Sequence, residues 1–151
     1  MLDCLKNIVF VFVIGFVFTW LVKWLGSDFL TRFYGQNLIS LLVALFAINT
    51  ATRSIIMSKL KEVAQKDGIN INATINELKK SVFEQLGLLI LAVVVQILAS
   101  SETLAKWAEL RSFWTSVVST AIFAYAIYII YDTSNSSFII LDYENRKPEN
   151  K

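Results

Sequence analysis

The sequence predicts an all-α integral membrane protein with four transmembrane helices. Of its 151 residues 56% are hydrophobic, and the mean hydropathy is +0.58. The apolar residues are gathered into four blocks, each close to the roughly 20 residues that a helix needs to cross the hydrocarbon core. A soluble domain of this length would retain too little polar chain to cover four such helices.

The whole chain is predicted to form one membrane domain, with spans at residues 8–25, 38–57, 82–99 and 113–131. A lysine before the first span is also typical of a signal peptide. No A-x-A cleavage pattern follows this span, however, so we expect it to stay as an anchor. Cys4 is the only cysteine, which excludes an intrachain disulfide.

The basic residues predict the orientation, because lysine and arginine in short connections mark the cytoplasmic side. Ten of the 14 lie in the amino-terminal stub, in the connection between spans two and three, and in the tail. The four tryptophans lie near the opposite ends of the spans, at a level where amphipathic rings prefer to sit. Both termini and the central connection are therefore predicted to be cytoplasmic.

The connection between spans two and three predicts a cytoplasmic helical hairpin over residues 53–81. Helix formers continue beyond span two with no breaker before Asp67 and Gly68. Thr74 and Glu77 form a capping-box pattern, which predicts that the returning helix begins at Thr74. The charged residues of the hairpin are expected to form a solvated face: Lys59, Lys61, Glu62, Lys66, Lys79 and Lys80.

The cytoplasmic tail, residues 132–151, begins with the polar stretch 133–137, which we interpret as a linker. A short apolar segment follows. It is a candidate for docking, either against the hairpin or as a strand added to a partner, and pattern alone does not separate the two. The residues of this segment are Phe138, Ile139, Ile140 and Leu141.

Residue usage excludes most catalytic chemistry. The chain has no histidine, one cysteine and five glycines, so neither a Ser-His or Cys-His nucleophile nor a zinc site nor a Gly-rich phosphate loop can be built. The basic residues follow the topology and form no patch typical of nucleic-acid binding. We therefore expect no enzyme activity, no cofactor, no metal and no direct nucleic-acid binding.

Span two carries polar residues, Asn49 and Thr52, at a depth where lipid offers no hydrogen bonds, and Gln96 does the same in span three. Span two also has a small-residue stripe at alternating steps of four and three: Ser40, Ala44, Ala47, Ala51 and Ser54. Such stripes let helices approach closely. Three uses stay open: packing inside the bundle, an interface between subunits, and pore lining by Asn49 and Gln96.

Arg53 leaves the membrane at about the depth where Glu84 enters it on the returning arm. This placement predicts an ion pair at the base of the hairpin, in a partly desolvated region. The alternative is two independent side chains that reach toward the interface. Span one carries phenylalanine around its circumference and is expected to be peripheral and lipid-facing.

The predicted topology has four short spans, both ends inside, and a long charged connection that begins Asn49-Thr50-Ala51-Thr52-Arg53. It resembles the topology of small bacterial phage-defence membrane proteins. Two such proteins are the RexB exclusion protein of phage lambda and the membrane subunit of the Kiwa defence system. The resemblance covers topology over most of the chain and carries no functional residue across. It implies a multi-pass protein of the bacterial inner membrane that works as an oligomer, either depolarising the infected cell or holding a soluble effector.

The leading hypothesis is an oligomeric membrane sensor or anchor, whose hairpin and tail bind a soluble cytoplasmic effector protein. We expect a homo-oligomer in the lipid bilayer, with a tetramer favoured. One alternative is an ion-conducting pore with span two at its axis. A small transporter is the other, although the sequence shows no broken helix, inverted repeat or charge in the middle of a span.

Overall fold

The computed structural model describes residues 2–67, 71–101 and 108–146, with side chains for 6–66, 71–101 and 110–135. Within these ranges the chain forms four α-helices and no strand, which confirms the all-helical prediction. All four are long and apolar enough to span a membrane. The helices are α1 (Leu2–Trp24), α2 (Phe29–Asp67), α3 (Asn72–Ser100) and α4 (Ala108–Arg146).

Helix α2 confirms that the second apolar segment does not end at the predicted membrane boundary. It is continuous for 39 residues, which at about 1.5 Å per residue corresponds to roughly 58 Å. The predicted start of the returning helix at Thr74 is wrong. Helix α3 begins at Asn72, its N-cap residue Ile71 makes no side-chain capping bond, and the Ile75 amide already donates to the Ile71 carbonyl at 3.0 Å.

The predicted linker at 133–137 is also wrong, because α4 runs through it without interruption. The Thr133 hydroxyl donates to the Ile129 carbonyl at 2.9 Å, so this polar side chain is accommodated inside the helix. The side chains of the candidate docking segment, Phe138 to Leu141, lie outside the described part of the chain, as do residues 147–151.

Helix α4 is the central helix, since it packs extensively against each of the other three, whereas α1 and α2 touch only slightly. In its most apolar window 39% of the residues are buried, compared with 17% to 22% in the other helices. Contacts at both ends show that α2 runs parallel to α4: Thr31 lies 3.0 Å from Ser116, and Arg53 lies 2.9 Å from Thr133. Helices α1 and α3 run in the opposite direction, so the four helices cross the bundle in alternating directions.

The apolar core lies between α2, α3 and α4, toward the end where α2 begins. Tyr34 packs against Phe123 with ring centroids 6.1 Å apart, and the Gln96 amide donates to the Tyr34 carbonyl at 2.9 Å. The buried members of this core are Leu30, Tyr34, Leu38, Leu42, Ala92, Val95, Ile122 and Ala126.

Helix α1 lies outside this core and is held against α4 by a close backbone approach at Gly15. A Cβ atom at Gly15 would lie 2.7 Å from the Val117 carbonyl oxygen, so only glycine fits there without a shift. Most of the other side chains of α1 are exposed, as expected for a peripheral helix. Phe16 is 41% exposed, and its ring also contacts Phe113 edge to face, with the ring centroids 5.7 Å apart.

We predict that Gly15→Ala lowers the stability of the protein by roughly 1 to 3 kcal/mol, the usual cost of overpacking. The matched control is Gly87→Ala in α3, where an added Cβ meets nothing within 4 Å. Thermal unfolding in detergent, followed by tryptophan fluorescence, compares the two. Equal melting temperatures for both variants would mean that α1 does not pack on α4 as described.

Candidate functional site: an arginine cluster joining three helices

Arg53 is buried on the face of α2 that packs on the bundle, with 4% of its surface exposed. Its guanidinium donates through Nη1 to the Leu78 carbonyl at 3.1 Å and through Nη2 to Thr133 Oγ1 at 2.9 Å and to Ser81 Oγ. One cation therefore connects α2 with both α3 and α4. We call Arg53, Leu78, Ser81 and Thr133 the arginine cluster.

A guanidinium keeps its proton in proteins, so its burial is tolerated only where hydrogen bonds replace water. The arginine cluster supplies three such bonds. The carboxylates of Glu84 and Asp132 add electrostatic attraction. Glu84 forms its direct ion pair with Lys80 instead, at 3.8 Å. The hydrogen bonds of Arg53 are thus with carbonyl and hydroxyl groups, and the Glu84 carboxylate that the sequence predicted as its ion-pair partner is one of the charges that attract it.

Several buried polar atoms beside the arginine cluster have no hydrogen-bond partner among the described residues. They are Asn49 Nδ2, Thr50 Oγ1, Arg53 Nε and Gln85 Oε1. Because α2 and α3 are antiparallel, contact of Arg53 with Ser81 places Asn49 and Gln85 at the same level, one helical turn away. Each buried polar atom without a partner costs about 1 to 3 kcal/mol. This level of the bundle is therefore less tightly bonded than the apolar core.

The three predicted intramembrane polar residues lie in different environments. The Thr52 hydroxyl donates to the carbonyl of Ile48, one turn earlier in its own helix, at 3.0 Å. Gln96 bonds to the backbone of α2. Asn49 is 2% exposed and faces the interior of the bundle.

The small-residue stripe lies on the side of α2 opposite to its buried face, and its members are all exposed: Ser40, Ala44, Ala47, Ala51 and Ser54. The buried face follows the same alternating steps from Leu38 and Leu42 through Asn49 and Arg53. The stripe therefore takes no part in packing among the described side chains of the bundle. A neighbour that packed on the stripe would also be remote from Asn49.

Leu78, Ser81 and Thr133 are the partners of Arg53 that the sequence did not identify. Ser81 precedes Glu84 by about one turn on α3, so the predicted depth of the Arg53 partner was nearly right. Thr133 belongs to a run of short polar residues that is typical of linkers. Only the continuation of α4 through that run places its hydroxyl inside the bundle.

Comparison of the chain with protein-family models, with curated proteins and with solved structures found no match in any of the three. The structure itself shows an all-α fold with four potential membrane spans. The described residues hold no group of three or more cysteine, aspartate or glutamate side chains placed to bind a metal ion. The arginine cluster and the small-residue stripe are the features on which a functional proposal can be based.

We predict that Thr133→Val destabilises the protein by roughly 1 to 3 kcal/mol, because it removes an acceptor from a buried cation. Thr52→Val is the matched control, since its hydroxyl bonds only within α2, and we expect a change below about 0.5 kcal/mol. Denaturant unfolding in detergent measures both.

A double-mutant cycle with Arg53→Met isolates the contact, and contacting pairs typically couple by roughly 0.5 to 3 kcal/mol. Additive effects of Arg53→Met and Thr133→Val would contradict the assignment of Thr133 to the arginine cluster.

Proposed function

We propose that this protein is a membrane-embedded subunit that assembles as a homo-oligomer. It binds a soluble cytoplasmic partner, either as the membrane anchor of that partner or as a sensor that acts on it. The observation that carries the proposal is the exposed small-residue stripe on α2, opposite the face that packs within the protomer. A tetramer is the assembly that we favour. The proposal assigns no catalytic step to the chain.

Insertion into a membrane is supported by the surface of the bundle. Large apolar side chains are exposed on all four helices, including Trp24 at 74% and Phe83 at 72%. In water each exposed apolar Å² costs about 25 cal/mol, whereas lipid tails solvate such groups without this cost. The described protomer therefore has the surface expected of a protein solvated by lipid.

Assembly through α2 follows from the physics of helix association in lipid. Lipid gives no hydrophobic drive for helices to associate, so close packing of small side chains and hydrogen bonds has to supply the energy. The stripe allows the closest backbone approach, and the Ser54 hydroxyl lies on it, donating to the Thr50 carbonyl at 3.2 Å. Copies of α2 that meet along this stripe leave the arginine cluster inside each protomer.

Binding of a soluble partner is supported by the length of the helices. Helices α2 and α4 have 39 residues each, about twice the roughly 20 that cross a bilayer. Both helices run in the same direction, so both extensions project from the same side. The extension of α2 carries exposed lysines, Lys59, Lys61 and Lys66, which suit a partner with an acidic surface.

The arginine cluster lies where these extensions meet the bundle. A partner that moved α3 or α4 would have to change the bonds that Arg53 makes to Leu78, Ser81 and Thr133. The unpartnered atoms Asn49 Nδ2 and Gln85 Oε1 lie at the adjacent level and are available as a donor and an acceptor for alternative polar contacts. In the proposed sensor, the cluster is the element that couples partner binding to the membrane helices.

The biological setting that we propose is bacterial phage defence at the inner membrane. It is supported by the topological resemblance described above and by the lack of groups for catalysis in the sequence. A defence subunit of this kind requires assembly for its activity, so loss of the oligomer should lower the resistance of the cells to phage.

We predict that Ala47→Leu reduces the oligomer to smaller species, because a bulky side chain in a close helix contact typically costs roughly 1 to 3 kcal/mol. Val13→Leu is the control, as Val13 is exposed on α1, away from the stripe. Native mass measurement in detergent reads the assembly. Phage plating on bacteria that express each variant with its neighbouring genes reads the defence activity, which only Ala47→Leu should lower.

An Ala47→Leu protein with the wild-type oligomeric mass would exclude the stripe as the interface. Wild-type protein that assembles but gives no protection against any phage tested would exclude the defence role and leave the assembly intact.

We also predict that both termini and the α2–α3 connection face the cytoplasm, from the distribution of basic residues. In a Cys4→Ser background, a cysteine at Lys66 should resist a membrane-impermeant maleimide in intact cells and react after lysis. A cysteine at Ser27, in the α1–α2 connection, should react in both. Labelling of position 66 from outside would reverse the orientation.

A further inference from the structure

A pocket of about 390 Å³ lies between α1, α2 and α4, at the end of the bundle opposite to the arginine cluster. Its polar lining includes Lys23, Ser27, Asp28 and Thr31, and its apolar lining includes Phe113. Volumes of about 300 to 1,000 Å³ are usual for pockets that bind small ligands. The pocket combines one cation, one anion and several hydroxyls beside an apolar wall.

The α1–α2 turn holds the charged lining in place. Gly26 follows the end of α1 and has a φ of +67°, the left-handed conformation that is common after a helix. Two hydrogen bonds close this helix end: the Gly26 amide donates to the Lys23 carbonyl at 3.0 Å, and the Ser27 amide donates to the Val22 carbonyl at 3.1 Å. The Ser27 hydroxyl then accepts from the Phe29 amide at 3.2 Å, at the start of α2. Lys23 and Asp28 are thus presented to the pocket from the two ends of a hydrogen-bonded turn.

The polar groups of the pocket retain capacity for a ligand. Thr19 is 4% exposed and lines the pocket, and its hydroxyl has no partner among the described residues. Asp28 forms no ion pair within the described chain, either with Lys23 or with Arg32, which lines an adjoining groove. The Lys23 ammonium lies 5.5 Å from the centre of the Phe113 ring, which orients it along the pocket wall.

The depth of the pocket indicates the source of the ligand. Trp20 and Trp24 are exposed on α1 and Trp114 on α4, near the same end of the bundle. Exposed tryptophans mark the headgroup level of a bilayer. A group that meets the pocket at this level is therefore a phospholipid headgroup, with its glycerol and first methylenes against Phe113.

We propose that this pocket binds the headgroup of an ethanolamine phospholipid, with the phosphate near Lys23 and Thr19 and the ammonium near Asp28. A primary ammonium donates hydrogen bonds to a carboxylate, which a choline headgroup cannot do. A glycerol headgroup has no cation to meet Asp28. This inference depends on membrane insertion in the proposed function but not on assembly through α2.

The test is lipid titration of the delipidated full chain in detergent, read by native mass spectrometry. Phosphatidylethanolamine should bind about tenfold more tightly than phosphatidylcholine or phosphatidylglycerol, as expected for one charge-assisted hydrogen bond.

Asp28→Asn should abolish the preference over phosphatidylcholine, and Asn serves equally well at a helix N-terminus. Lys23→Gln should weaken all three lipids. Thr19→Val should weaken phosphatidylethanolamine without lowering the melting temperature, because its hydroxyl has no partner to lose.

The matched charge controls are Lys79→Gln and Glu62→Gln, exposed residues toward the opposite end of the bundle, which should leave lipid preference unchanged. Equal binding of the three lipids, or a preference retained by Asp28→Asn, would overturn the inference. Competition by soluble glycerophosphoethanolamine at equal concentration would overturn the lipid source. The oligomeric mass in the same spectra tests the assembly separately, so failure of the pocket and failure of the proposed function are distinguishable.

Discussion

The buried charge of Arg53 is the constraint on which the geometry of the bundle depends. A guanidinium cannot give up its proton to ease burial, so its donors have to meet acceptors wherever the helix places them. The acceptors here come from two other helices, Leu78 and Ser81 on α3 and Thr133 on α4. Apolar contacts between helices tolerate sliding and rotation, whereas hydrogen bonds to a fixed fork of donors do not. Arg53 thus fixes the depth and rotation of α2 relative to its neighbours.

A second set of polar contacts fixes the position of α2 relative to α3 and α4 at the other end of the core. Thr31 lies 3.0 Å from Ser116, and Gln96 donates to the Tyr34 carbonyl. The apolar core is therefore enclosed between two levels of directional bonds, and α4 contributes to both levels, through Ser116 at one and Thr133 at the other. Helix α1 is held differently, by the close backbone approach at Gly15 and by ring contacts such as that of Phe16 with Phe113.

The number of helices and their apolar segments could be predicted because length and hydropathy are properties of the sequence itself. The involvement of Arg53 in an inter-helix contact could be predicted from its depth, but its partners could not, because a partner depends on the rotation of each helix. The Thr74 capping box failed because α3 forms a hydrogen-bonded turn before it, at Ile71. The polar run after Asp132 was interpreted as a linker from its composition. In the structure α4 continues through this run, and the Thr133 hydroxyl is buried inside the bundle. Gly15 gave no signal, since one glycine within an apolar run is compatible with either a packed or an open position.

The same constraint decides which face of α2 is offered to other molecules. Arg53 and Asn49 lie on the buried face, and the small-residue stripe lies on the opposite side of the helix. Turning Asn49 toward a shared axis between subunits would require α2 to rotate by about half a turn, since residues on opposite faces of a helix are related by such a rotation. That rotation would withdraw Arg53 from Ser81 and Thr133, and hydrogen bonds to a charged group are worth about 1.5 to 3 kcal/mol each. A pore lined by Asn49 therefore conflicts with the arginine cluster, whereas assembly through the stripe leaves every one of its bonds in place.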